Sequence, residues 1–135
     1  MHKKTQKAER TMTNSLYQRL GGATGISSLV DDIVEAHMSN PAIKARFLPY
    51  REVPDTLAKV KRHTCNFLGA GSGGPEKYDG RSMPDAHRGM NINEQEYMAA
   101  VDDILDTLVR HKIDDQSRKD VLAIVYSLKC EIMHV

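Results

Sequence analysis

A chain of 135 residues is long enough for one domain with its own apolar core, without disulfides or metal staples to hold it. With 40% hydrophobic and 27% charged residues it has the make-up of a soluble globular protein, and no apolar run approaches the roughly 18 residues of a membrane helix. Lys and Arg number 19 against 18 Asp and Glu, so there is no basic face to suggest nucleic acid as a partner.

Residues 1–13 carry Lys3, Lys4, Lys7 and Arg10 against Glu9 alone, and read as a disordered basic tail before a domain over 14–135. The tail lacks the apolar core of a signal peptide, so a cytoplasmic location is expected. Cys65 and Cys130 offer no disulfide framework and are expected as reduced, buried thiols.

The first short helix is predicted over 15–20, stopped by Gly21-Gly22. A longer one follows over about 24–38, where apolar residues at 26, 29, 30, 33 and 34 and then His37 give the recurrence of a one-sided helix. Asn40-Pro41 ends it, because the residue before proline is pushed out of the helical region, and Pro41 suits the start of a short turn reaching Phe47. Pro54 opens a fourth helix whose stripe is Leu57, Val60, Thr64, Phe67 and Leu68, with His63 on its edge. Gly69, Gly71, Gly73 and Gly74 end that helix and begin a loop to about Ser82, longer than most connections in a compact domain. Ser82 then caps a single turn over 83–88, which carries His87 and stops at Gly89. Asn93 with Glu96 makes a capping-box start for a helix to about Lys112, striped by Tyr97, Val101, Ile104, Leu105 and Leu108. Asp114 caps a last helix running to near the C-terminus, with Val121, Leu122, Val125, Leu128 and Ile132 inward. No segment alternates as a strand does. The fold class is all-α, in one domain without repeats.

The common enzyme signatures are absent: no phosphate loop, no His-Glu-x-x-His, no Cys-x-x-Cys and no Gly-x-Ser-x-Gly. Six histidines remain. His2, His111 and His134 lie in the tail, at a charged helix end and at the far end of the chain; His37 lies on an apolar face and reads as a core imidazole with one hydrogen bond. His63 and His87 flank the glycine loop on separate helical elements that can converge on one cavity. Two imidazoles do not make a tetrahedral zinc site, whereas iron in a porphyrin needs only one or two. On the residues alone, ligation of a metal or haem stands beside two unrelated, half-buried histidines.

The order of motifs carries more. Leu16-Tyr17-Gln18-Arg19-Leu20-Gly21-Gly22, then Phe47, then Gly73-Gly74-Pro75-Glu76-Lys77-Tyr78-Asp79-Gly80-Arg81, then Met83 and Ala86-His87, together resemble the truncated haemoglobins, specifically their first group, over about 15–132. The resemblance implies an abbreviated globin fold, a two-over-two helical sandwich around haem b. It implies that His87 is the proximal iron ligand and Phe47 the ring that wedges the porphyrin, with Val34, Val60, Thr64, Phe67, Tyr78 and Met83 around them. His63 matches a position at which some members carry a histidine that binds the iron when no gas is present; the alternative is an imidazole that swings outward to a haem propionate. Lys59, Arg62 and Arg81 are within reach of propionates, although a solvated face explains all three.

The sequence also departs from that family. Many members carry a tyrosine where this chain has Val34, preceded by Ile33, and a glutamine where it has Val60 and Thr64. Oxygen is therefore expected to leave faster, since each charge-assisted hydrogen bond lost is worth roughly 1.5–3 kcal/mol. Cys130 stands where a few members have a histidine that bonds a haem vinyl, and an inert thiol is the expectation there. The function implied is binding of O2, CO and NO by a monomer, with nitric oxide dioxygenase activity through an outside reductase as one extension. A bis-histidyl redox or sensing haem protein is the alternative, and a haem-free helical interaction module is the third.

Overall fold

The structure is a computed structural model, and it describes residues 14–135. The expected tail, residues 1–13, lies outside the described residues. The elements are α1 (Leu16–Arg19), α2 (Gly22–Ser39), α3 (Lys44–Phe47), a 3-10 turn (Leu48–Glu52), α4 (Pro54–Gly71), α5 (Met83–His87), α6 (Glu94–Arg110), α7 (Asp115–Ser127) and α8 (Lys129–Ile132). Among the described residues there is no strand, only an isolated bridge between Ile92 and Met133. The chain is all-α.

Helix ends follow their caps. Ser15 and Gln18 make a reciprocal capping box on α1, and Asn93 and Glu96 do so on α6, each satisfying two backbone donors that a helix start leaves open. α2 begins two residues earlier than its apolar stripe alone indicates. It turns in immediately after α1, and this needs Gly25: a Cβ there would lie 2.2 Å from the Leu20 carbonyl oxygen. The expected turn to Phe47 is present as α3, but the chain continues helically through the 3-10 turn before Pro54 opens α4.

α2 is the central element. Ile26, Leu29, Val30, Ile33, Val34 and Met38 form its buried face, and it packs on α4 and on α6, which in turn packs on α7. The result is the two-over-two arrangement, α2 with α4 and α6 with α7. Leu20, Ile26, Leu29, Leu108, Val101 and Val121 are all but wholly removed from water, each worth about 1.5–3 kcal/mol of transfer energy. Side-chain bonds tie helices at the rim of this core: Arg19 to Ser117 and Asp120, Lys61 to Asp31, and His111 to Asp32 at 2.6 Å.

The last helix differs from expectation. It breaks at Leu128 into α7 and α8: the Leu128 N–H turns back to the Val125 carbonyl at 3.2 Å, closing a tighter turn, and the Tyr97 hydroxyl donates to the same carbonyl. Beyond α8, Met133 is extended, and the chain returns to the segment that follows α5.

Candidate functional site

His87 ends α5, a turn of five residues capped by Ser82, whose hydroxyl accepts the Asp85 N–H at 3.3 Å. Its Nδ1 lies 2.8 Å from the Met83 carbonyl oxygen. A carbonyl can only accept, so Nδ1 carries the proton and Nε2 of the neutral ring is left with a free lone pair. An imidazole held this way could serve as a metal ligand through Nε2.

The turn is clamped from two directions. Gly89 and Asn91 donate their N–H groups to the Val135 carbonyl at 3.1 and 3.0 Å, and His134 N–H donates to the Ile92 carbonyl at 3.0 Å. From the other side, the Arg46 guanidinium bonds the Met90 carbonyl at 2.9 Å and both carboxylate oxygens of Glu96. That pairing holds the Glu96 carboxyl below its ordinary range, chiefly through the hydrogen bond. Neither clamp shows as a motif in the sequence, since both join segments far apart in the chain.

A second set of residues meets on α4 and the loop behind it. Tyr78 packs edge-on against His63 at 6.0 Å and against Phe67 at 5.3 Å, and its hydroxyl donates to the Arg81 carbonyl at 2.5 Å. His63 is half-buried and its Nδ1 has no hydrogen-bond partner; Asp79 comes only within 3.9 Å, beyond hydrogen-bonding range. The ring is therefore packed but not tethered. Val60 is half-buried one turn earlier, while Thr64 is exposed and its hydroxyl donates to the Val60 carbonyl at 2.8 Å. In that rotamer Thr64 has no proton left to give.

The loop from α4 to α5 is pinned to α1. Tyr17 N–H bonds the Ser72 carbonyl at 2.8 Å, and the Tyr17 hydroxyl donates to Glu76 at 2.7 Å, which raises the phenol above its usual value. Gly74 is required by this approach: a Cβ there would lie 2.3 Å from the Tyr17 ring.

Phe47 and Val34 belong to a third group. Val34 is buried at 5% exposure, and Phe47 packs on the same core with its ring 4.8 Å from that of His37 and 6.5 Å from that of Tyr50. His37 is a core imidazole bonded to Asp103 at 2.7 Å, as its apolar face implies. Between the first two sets, the Arg81 guanidinium donates to the Asp85 carbonyl of α5 at 3.5 Å; His87, His63 and Phe47 share no hydrogen bond or ring contact with one another among the described residues. Lys59, Arg62 and Arg81 are exposed. An open groove of about 210 Å³ between α6 and α7, lined by Leu105, Val109 and Leu122, includes none of them.

The cysteines require one correction. Cys130 is exposed, as a position off the Val125, Leu128 and Ile132 stripe, and Cys65 is half-buried rather than buried. Burial raises the Cys65 thiol, and Asp31 and Glu76 raise it further.

Residues 15–134 match the family model of the bacterial-like globins. The Group 1 truncated hemoglobin GlbN of Synechocystis sp. is 30% identical over 115 residues, 82% of this chain and 89% of that protein. The chain belongs to the first group of truncated haemoglobins. Among solved structures, the truncated hemoglobin of Tetrahymena pyriformis in its Fe(III) form superposes with a TM-score of 0.82 at 19% identity, covering 90% of this chain and all of that one. The 2/2 hemoglobin of Synechococcus sp., in a cyanomet state with covalently attached heme, gives 0.75 at 25% identity over 86% and 94%.

A truncated haemoglobin takes haem as its cofactor and binds small gas ligands. The donor set here suits that group: one oriented imidazole with a free Nε2, and apolar side chains in Val34, Phe47, Val60, Phe67 and Met83. No helix among the described residues is long and apolar enough to cross a membrane.

Proposed function

We propose that this truncated haemoglobin binds O2, CO and NO at the iron of haem b, with His87 as the proximal ligand and His63 on the opposite side when no gas is present. The observation that carries the reading is the 2.8 Å bond from His87 Nδ1–H to the Met83 carbonyl, which leaves the Nε2 lone pair free. Haem held there supplies an iron to which a diatomic gas coordinates. Phe47, Val60, Phe67, Tyr78 and Met83 would hold the porphyrin by apolar contact and keep water from it. Val34 offers no proton to a gas, and Thr64 donates its own to the Val60 carbonyl, so His63 is the polar side chain left to meet one.

The loose hold on His63 supports a displaceable ligand. Its Nδ1 has no partner, so swinging the ring breaks no hydrogen bond and costs only its packing on Tyr78. A bis-histidyl redox or sensing protein, in which that ligand stays in place, is the second reading. Nitric oxide oxidation through an outside reductase is a further extension, weakened by Val34 in place of a tyrosine. The chain would do this as a monomer, with the domain over 14–135 and the preceding residues outside it.

Absorption spectra of the ferric, ferrous and CO forms test the assignment. Low-spin ferric and ferrous spectra that become high-spin in His63→Ala are expected. Low-spin spectra unchanged in that variant would overturn the role of His63. Rapid mixing with CO separates the two classes: a rate that saturates with ligand concentration means His63 must leave first.

A further inference from the structure

His37 is a titratable group that neither the His87 turn nor the His63 wall uses. It is buried in α2 at 7% exposure, with Nδ1 2.7 Å from Asp103 Oδ2 on α6. Asn40 Nδ2 donates to the other carboxylate oxygen at 3.1 Å, so the carboxylate is held on the imidazole. The imidazole also lies against the Phe47 ring at 4.8 Å and a tilt of 37°, and Phe47 leans in turn toward Tyr50. His37 follows Val34 by three residues, on the same face of the helix. One buried ring thus joins a carboxylate on α6 to the aromatic side chain placed at the haem.

Asp103 is the charged group that reaches it. From α3, Arg46 is committed to Glu96; from the 3-10 turn, Arg51 bonds Met38 Sδ and Glu35; on the α4 side, Lys61 is paired with Asp31.

We propose that the His37–Asp103 pair is a proton-sensitive support for Phe47, coupling pH to the space a gas finds beside the haem. The inference rests on the haem-pocket reading above. Neutral His37 donates Nδ1–H to Asp103 and turns an apolar ring face to Phe47. A second proton, on Nε2, makes a cation that Asp103 balances from the Nδ1 side, while the new Nε2–H faces apolar side chains and has to find water or the π-face of Phe47. Either response shifts the Phe47 ring, because the two rings are in contact. Burial holds the proton affinity of His37 below the usual histidine range, against the opposing hydrogen bond and charge of Asp103. The folded state therefore binds this proton less readily than the unfolded chain, whose histidines titrate near about 6.5. The contribution to stability is present above that pH and is lost as pH falls from there toward the lower value in the fold.

The test uses the ferrous CO complex with ring-labelled histidine and phenylalanine; the chain has only two phenylalanines, so Phe47 is readily followed by NMR. Between about pH 8 and about pH 5, the Phe47 resonances are expected to move with the His37 titration, and CO dissociation to change about threefold with the same midpoint. Asp103→Asn moves both transitions together to lower pH, and His37→Gln flattens both. Phe47 resonances that stay fixed while His37 titrates overturn the proposal. So does a His37 ring that stays neutral until the protein unfolds, or a CO profile that Asp103→Asn leaves unmoved. Should His37→Gln not fold, the wild-type titration and Asp103→Asn still decide. The axial role of His87 is judged separately, by the spectrum of His87→Gly.

Discussion

The segment around His87 and the segment around His63 carry the same side chain and treat it in opposite ways. His87 has its Nδ1 bonded to backbone, its turn capped by Ser82, and the residues after it gripped by the chain's last residues and by Arg46. His63 has a packed ring, an unpartnered Nδ1 and a carboxylate 3.9 Å away. On the proposed reading, the imidazole that would hold iron is oriented in advance, whereas the one that would yield to a gas is left without competing bonds. The difference lies in hydrogen bonds made by the surroundings, since the two imidazoles are chemically identical.

The largest test of that contrast is His87→Gly. Haem affinity is expected to fall by at least about a hundredfold, with the spectrum restored by added imidazole. Haem held as tightly in the variant, with an unaltered spectrum, would remove His87 as the anchor. On the opposite wall, His63→Ala should raise CO association about tenfold and abolish its saturation with concentration. A smaller effect is expected from Arg46→Met, which releases the Met90 carbonyl and Glu96. The bonds are partly solvated, so stability should fall by about 1 kcal/mol, with a faster loss of haem as the sign that the His87 segment has loosened. The smallest comes from Asp79→Asn. With an exposed carboxylate beyond hydrogen-bonding range, CO kinetics and melting temperature should not move measurably. A clear shift there would mean that His63 is tethered after all.

Features that depend on neighbours three or four residues apart were legible in the residues. The capping box at Asn93 and Glu96, the Ser82 cap and the apolar stripe of α2 each stand where their spacing puts them. The break at Leu128 was not: the Val125 carbonyl accepts both the Leu128 N–H and the hydroxyl of a tyrosine 28 residues away, and no local spacing announces that bond. The bonds from Arg46 to Glu96, Tyr17 to Glu76 and His37 to Asp103 join residues 50, 59 and 66 apart, and nothing in spacing or composition pairs them.

By itself, the sequence determined the all-α class, the side-chain-capped helix starts, the order of motifs that marks the first group of truncated haemoglobins, and the position of His87 on a capped turn. These rest on 3.6-residue periodicity, local caps and backbone constraints at glycine and proline. Only the tertiary structure decided that the His87 turn is clamped, that His63 is packed without a tether, and that His37 links Asp103 to Phe47. Each of these is a long-range contact, made when the core closes and brings distant polar groups within about 3 Å of one another.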